Sequence, residues 1–117
     1  MNETNRTVVT THVLDLESGV PAPNLTVRLL NHEGAELGVA ATNADGRIEQ
    51  WAGVADVAPG TYRLQFEVAA YRDSSALESQ SAFFPEIDIV FCLNGDRPKV
   101  HIPVLLSPYG YTTYRGS

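Results

Sequence analysis

The sequence has a single cysteine, Cys92, in 117 residues, which excludes an internal disulfide and any cysteine-rich zinc site. Basic residues are also few, 8 against 14 acidic ones, and the net charge of −6 argues against nucleic acid and anionic membranes as main partners. No apolar run approaches the roughly 18 residues of a membrane span. The first six residues lack the apolar stretch of a signal peptide, so we expect a soluble cytoplasmic protein if Met1 is the native start.

The chain does contain enough apolar sequence to build one core. Hydrophobic residues make up 44 % of it and charged residues 19 %, which is typical of a globular domain. A chain of this length buries about two-thirds of its unfolded surface, so folding requires neither a disulfide nor a metal. We predict a single domain over residues 1–117, in which residues 1–6 form a flexible tail.

Short runs of alternating apolar and polar residues dominate the sequence, separated by Gly, Pro, Asn and Asp, and this pattern is typical of strands and turns. Ala69 to Gln80 is the only plausible helix, and its periodicity is poor. About eight strands and one short helix predict an all-β protein, a β-sandwich of two sheets. The predicted strands cover residues 7–14, 25–29, 35–41, 47–51, 61–68, 87–93, 100–107 and 110–115.

Two histidines, His12 and His101, lie within predicted strands. The strand of His101 turns its even-numbered apolar residues to the core, so His101, Pro103 and Leu105 share the opposite face. That face is too apolar for free solvent and too polar for a core, which favours a surface covered by a second subunit or a ligand. Pro103 cannot donate to a sheet ladder and disfavours a central strand position. From periodicity alone, a hydrogen-bonded structural role stays open for both histidines.

Three other features of the sequence are functional candidates. Arg47 follows the Asp45-Gly46 turn and is either an ordinary charged residue at a strand start or an arginine aimed at a planar anionic ligand. His32 lies in a polar turn and is expected to be an ordinary solvated residue. The last nine residues contain three tyrosines and an arginine, which suggests a docked chain end. Motifs of serine hydrolases, phosphate-binding loops and zinc proteases are absent, and no metal or cofactor is expected.

Three segments together resemble the transthyretin-related family, and specifically its enzymatic branch, the 5-hydroxyisourate hydrolases. They are Thr10-Thr11-His12-Val13-Leu14-Asp15, Thr42-Asn43-Ala44-Asp45-Gly46-Arg47, and the segment from His101 to the C-terminal Tyr-Arg-Gly-Ser. The C-terminal tetrapeptide is the most specific piece, because it separates the hydrolases from the hormone-carrying transthyretins. The resemblance covers about Thr7 to Ser117, nearly the whole chain.

The resemblance implies hydrolysis of 5-hydroxyisourate by opening of its six-membered ring, on the route from urate to allantoin, without a cofactor. It implies a transthyretin-like homotetramer, a dimer of dimers, with the sites where two dimers meet. The catalytic residues it implies are His12, Arg47 and His101, and the substrate-binding residues are Tyr114, Arg115 and Ser117. One histidine would take a proton from water, and which of the two does so stays open.

Two other classes of function are compatible with a β-sandwich. A transthyretin-like carrier would hold a small planar ligand in the same channel between dimers, and a generic sandwich adhesion module would need no C-terminal tetrapeptide. Two histidines and Arg47 converging at that channel favour the hydrolase. Lys99-Val100 stands where hydrolases of this family often have an aromatic residue or a further histidine, and Cys92 has no evident role.

Overall fold

A computed structural model describes residues 5–73 and 82–116. The strands within these ranges are β1 Val8–Asp15, β2 Val20–Pro21, β3 Thr26–Asn31, β4 Glu36–Ala41, β5 Arg47–Ile48, β6 Gly60–Phe66, β7 Ile87–Leu93, β8 Lys99–Ser107 and β9 Gly110–Thr113, and the helix α1 is Val68–Asp73. One sheet has the order β2-β1-β8-β9 with β5 also paired to β1, and the other has the order β4-β3-β6-β7. The predicted two-sheet sandwich with one short helix is therefore confirmed.

The core lies between the two sheets and is filled by the inward residues of the alternating strands. In β8, Ile102, Val104 and Leu106 are all buried, as the sequence pattern predicted. The other sheet contributes Leu29, Leu64 and Phe66, among others, to the same cluster. Because the core is filled by packed side chains, the outward face of each sheet is where a small molecule finds room.

The described strands differ from the prediction mainly at short elements. Val20–Pro21 forms a two-residue strand on the edge of β1 that the pattern did not indicate. The helix begins at Val68 and is described to Asp73, while the remainder of the predicted helix, residues 74–80, lies outside the described residues. Arg6 forms an ion pair with Asp56 at 2.6 Å, and residues 1–4 of the predicted tail lie outside the description.

Pro103 occupies a central strand, so the expectation that proline would disfavour such a position is wrong. β8 lies between β1 and β9, and Pro103 is in register with His12. The carbonyl of Pro103 accepts a hydrogen bond from Thr113 Oγ1 at 2.9 Å, so its backbone polar groups face the C-terminal segment. β9 ends at Thr113, and the missing N–H of Pro103 therefore falls where the regular ladder has stopped.

A buried ionic cluster joins α1 to the first sheet. The carboxylate of Asp15 accepts hydrogen bonds from Tyr71 Oη at 2.7 Å and Arg72 Nη1 at 2.9 Å, and the side chains of Asp15 and Arg72 are 0 % and 4 % exposed. Burial, followed by the hydrogen bond to Asp15, raises the pKa of Tyr71. The cluster belongs to the scaffold, on the core side of β1.

Within the described residues no helix has the length and apolar character to cross a membrane.

Candidate active site

Parallel pairing of β1 with β8 places the two strand histidines side by side. Thr10 is in register with His101 and His12 with Pro103, so all four side chains lie on the outer face of the first sheet. The ring centroids of His12 and His101 are 6.4 Å apart, and the rings are tilted by 34°. Two residues that are 89 positions apart in the sequence thus share one face.

A locked turn brings Arg47 to the same face. Asn43 Oδ1 accepts a hydrogen bond from the backbone N–H of Arg47 at 3.0 Å, and Gly46 adopts a positive φ of 75°. The Gly46 carbonyl accepts a hydrogen bond from Val13 N at 2.7 Å, and a Cβ at Gly46 would lie 2.4 Å from the Val13 carbonyl oxygen. The turn is therefore pressed against β1, and Arg47 sits directly opposite His12 in the pairing of β1 with β5.

The imidazole of His101 is fixed on two sides by its own chain. Nδ1 lies 2.8 Å from Thr10 Oγ1, whose residue is 2 % exposed. On the other side the C-terminal segment returns over β8, and the N–H of Gly116 donates to the His101 carbonyl at 2.7 Å. A Cβ built at Gly116 would lie only 2.9 Å from His101 Cδ2, so this close approach requires glycine.

The electrostatic surroundings keep His101 neutral over a wider pH range than a free histidine. Burial lowers its pKa from the usual value, and the nearby basic groups Arg47, His12 and Lys99 lower it further, with a smaller opposing effect of Glu49. A group whose pKa is lowered in this way is deprotonated near neutral pH. His101 is consequently available as a proton acceptor.

These groups border a cavity of about 320 Å³ on the outer face of the first sheet. The cavity has two cationic side chains, one carboxylate, an imidazole and a hydroxyl. This set of groups suits a small polar ligand that is anionic or rich in carbonyl groups. The ring of His12 lies next to His101 on the same face. The residues that line the cavity are Thr10, Arg47, Glu49, Lys99, His101 and Gly116.

The remaining predicted site residues are placed differently. Tyr114 and Arg115 line a separate hollow of about 270 Å³ beside Phe91 of β7 and Ile102 of β8. Ser117 lies outside the described residues. Cys92 is exposed and its Sγ lies 3.4 Å from Thr61 Oγ1. In residues 5–73 and 82–116 no three His, Cys, Asp or Glu side chains are grouped as a metal site would require.

Sequence reasoning missed Thr10 and Glu49 as residues of this cavity, and it indicated Gly116 only as part of the C-terminal tetrapeptide. Glu49 follows Arg47 by two positions and therefore lies on the same face, which strand periodicity could have indicated. Thr10 precedes His12 by two positions in the same way, but its contact with His101 depends on the parallel register of β1 and β8. Register between strands so distant in sequence is not encoded in either strand alone.

The fold and the site define a class of protein: a β-sandwich that carries histidine and arginine side chains for a small molecule on the outer face of one sheet. Comparison with known proteins identifies the family. Residues 9–116 match the model of the HIUase/Transthyretin family. A 5-hydroxyisourate hydrolase of Mus musculus is 41 % identical over 119 residues, covering 97 % of this chain and 98 % of that relative. The chain belongs to the HIUase/Transthyretin family.

Two solved structures share the fold. The 5-hydroxyisourate hydrolase of Klebsiella pneumoniae superposes with a TM-score of 0.82 at 33 % identity, covering 95 % of this chain and 99 % of that one. A transthyretin from Sparus aurata superposes with a TM-score of 0.81 at 23 % identity, covering 95 % and 97 % of the two chains. The second likeness concerns the fold alone, so the side chains of the site must decide the function.

Proposed function

We propose that this chain hydrolyses 5-hydroxyisourate, opening the six-membered ring to give 2-oxo-4-hydroxy-4-carboxy-5-ureidoimidazoline. Hydrolases of this substrate are among its relatives over nearly the full length of the chain. The observation that carries the proposal is that His101, with a lowered pKa, and Arg47 border one cavity of about 320 Å³. A general base and a fixed cation are the two groups that hydrolysis of an amide-like bond requires.

In this mechanism His101 is the general base. It takes a proton from a water molecule as the water oxygen forms a bond to the ring carbonyl carbon. The guanidinium of Arg47 donates hydrogen bonds to the carbonyl oxygen as that oxygen becomes negative. When the carbon–nitrogen bond of the ring breaks, the nitrogen takes the proton back from His101, so the imidazole is regenerated. His12, whose ring centroid lies 6.4 Å from that of His101 on the same face, orients the water or the substrate.

The proposal includes a homotetramer with the sites between dimers. The cavity is open on the outer sheet face, and the neighbouring Leu14 and Leu105 are only half-buried. Apolar side chains beside an open cavity are more favourable under a covering subunit than in contact with solvent, and this supports the tetramer. Light scattering in solution tests this part, since four copies of the 12.7 kDa chain differ clearly from one or two.

Substrate-binding roles for Tyr114, Arg115 and Ser117 belong to the same proposal. Tyr114 and Arg115 border the neighbouring hollow in the single chain, within two residues of Gly116 in the cavity wall. In the proposed tetramer, a subunit that covers this face brings residues of both hollows into contact with one substrate. Removal of the tetrapeptide tests these roles.

The function is tested by generating 5-hydroxyisourate with urate oxidase and following the decay of its ultraviolet absorbance. We expect the protein to accelerate the decay and His101→Asn to reduce the rate about ten- to several-hundredfold. The matched control is His32→Asn. The His32 side chain is 68 % exposed in a turn, and His32 is not among the residues that line the cavity. Decay at the spontaneous rate with the wild-type protein, accompanied by binding of the substrate, would favour a carrier instead.

A further inference from the structure

We infer that Lys99 is a specificity residue of the cavity, which attracts the substrate as an anion and holds its negative charge beside His101. The inference rests on the proposed function in its kinetic test, because hydrolysis provides the rate that is measured. Binding of an anion to the same cavity tests it without turnover. Lys99 is the single lysine of the chain, so one substitution removes its ammonium group from the protein.

The cations of the cavity lack the ion pairs that four arginines make elsewhere in the chain. Within residues 5–73 and 82–116 neither Lys99 nor Arg47 forms an ion pair, although the chain has 14 acidic residues. Glu49 lines the same cavity, so the cavity is net positive while the chain carries −6. Cations that no carboxylate of their own chain neutralises are available to an anionic ligand. The arginines paired with carboxylates are Arg6, Arg28, Arg63 and Arg72.

Lys99 lies two residues before His101 on β8, so both side chains leave the same face of the sheet. Two residues of a strand span about 6.6 Å, which places the two groups at neighbouring positions of that face. Both line the cavity of about 320 Å³, and Arg47 lines it from β5. An ammonium group on a flexible four-carbon stem acts as a point charge that can follow an anion. A ligand in this cavity therefore has Lys99, His101 and Arg47 around it.

The charge of Lys99 reaches His101. Burial lowers the pKa of His101 most, Arg47, His12 and Lys99 lower it further, and Glu49 raises it. These groups face His101 from β1, from β5 and the residues after it, and from β8 itself. A charge that acts on His101 also acts on a ligand bound against it. Because Lys99 is positive and Glu49 negative, their removal should change the capture of an anion in opposite directions.

Lys99→Gln and Glu49→Gln therefore form an opposed pair of variants. Lys99→Gln should lower kcat/KM about two- to tenfold at low ionic strength, mainly through KM, and Glu49→Gln should raise it by a comparable factor. The Debye length falls from about 30 Å at 0.01 M salt to about 3 Å at 1 M, so both differences should shrink as salt is added. Lys99→Arg keeps the charge and should retain most of kcat/KM.

The pH profile of kcat/KM supplies a second readout. His101 acts as a base only when it is deprotonated, so kcat/KM falls as the pH drops through its pKa. Loss of the Lys99 cation raises that pKa and moves the acid limb to higher pH, whereas loss of the Glu49 carboxylate moves it to lower pH. The matched control is Arg63→Gln, which removes one positive charge from β6 in the other sheet, where Arg63 pairs with Asp88. It should change neither the acid limb nor the salt dependence.

Binding of urate separates this inference from the proposed function. Urate is a planar anion at neutral pH and is the compound from which the assay generates its substrate. Calorimetric titration with urate measures affinity without turnover. We expect Lys99→Gln to weaken the affinity about two- to tenfold at low salt and Lys99→Arg to retain it. A wild-type protein that binds urate with this dependence on Lys99 but does not hydrolyse 5-hydroxyisourate would refute the proposed function and support the role of Lys99.

A Lys99→Gln protein with wild-type kcat/KM and wild-type urate affinity at low salt would overturn the inference. A loss that Arg63→Gln reproduces, or that persists undiminished at high salt, would also overturn it, because the effect would then not come from a charge in the cavity. Changes of kcat/KM in the same direction for Lys99→Gln and Glu49→Gln would have the same consequence. A wild-type protein that neither hydrolyses 5-hydroxyisourate nor binds urate would refute both the proposed function and the role of Lys99.

Discussion

Gly116→Ala is expected to misplace the imidazole of His101, the proposed general base, while leaving the sandwich intact. The new Cβ would lie 2.9 Å from His101 Cδ2, 3.3 Å from the His101 carbonyl oxygen and 3.4 Å from Pro103 Cγ. Carbon atoms in favourable contact are about 3.5–4.0 Å apart, so the ring or the segment must move by about 0.6–1 Å. Displacement of a reacting group by about 1 Å costs up to about a hundredfold in rate. We therefore expect kcat to fall by about ten- to hundredfold.

Stability should change much less in this variant. Replacing glycine by alanine lowers the entropy of the unfolded chain, a gain of about 0.4–1 kcal/mol that offsets part of the local clash. The matched control is Gly110→Ala in the same C-terminal segment, where a Cβ would meet nothing within 4 Å. The assay is the decay of 5-hydroxyisourate absorbance, with urea unfolding measured in parallel. A Gly116→Ala protein with a kcat within about twofold of wild type would refute the positioning argument.

Three further predictions concern charge, the chain end and the core. Arg47→Ala should lower kcat/KM. It should also shift the acid limb of the pH profile of kcat/KM to higher pH, because loss of a nearby cation raises the pKa of His101. An unchanged acid limb would show that Arg47 does not act on the base. Removal of residues 114–117 should abolish most activity with little change in the unfolding midpoint, as circular dichroism and the absorbance assay can check; full turnover would exclude the tail from the site. Asp15→Asn should cost up to about 3–5 kcal/mol of unfolding free energy in urea, because it leaves the buried Arg72 cation with Glu17, at 3.3 Å, as its carboxylate partner; a loss below about 1 kcal/mol would mean that the buried pair stabilises little.

The long strands could be predicted because burial alternates along them with a period of two. Ile102, Val104 and Leu106 are buried in β8, and the same rule gave β6 and β7 within a residue or two. β2 has only two residues, too few for any periodicity. Pro103 was misjudged because a proline in a central strand is tolerated when its N–H side faces a gap in the ladder, and that depends on where the partner strand ends.

Within the site, residue types were predictable and their partners were not. The position of His101 on the outer face of its sheet could be predicted, because the residues on either side of it face the core. The contact between Thr10 and His101 depends on parallel pairing of strands 91 positions apart, and the approach of Gly116 depends on the return of the C-terminal segment. The Asp15–Arg72 pair is of the same kind, since a helix and a strand 57 positions apart bring it together. Such contacts come from topology, which local pattern does not encode.

The two threonines of β1 show why the fold and the function of this chain can vary separately. Thr10 and Thr11 are adjacent, both buried and both hydrogen-bonded, yet alternation places one behind the His101 ring and the other against the core-side backbone of β8. A change on the outer face alters the imidazole and leaves the core packing, whereas a change on the inner face does the reverse. The Sparus aurata transthyretin shares this fold at 23 % identity, so the same sandwich forms from a largely different sequence. It follows that Gly116→Ala should lower kcat with the unfolding free energy nearly retained, and Asp15→Asn should lower the unfolding free energy with kcat of the folded fraction retained.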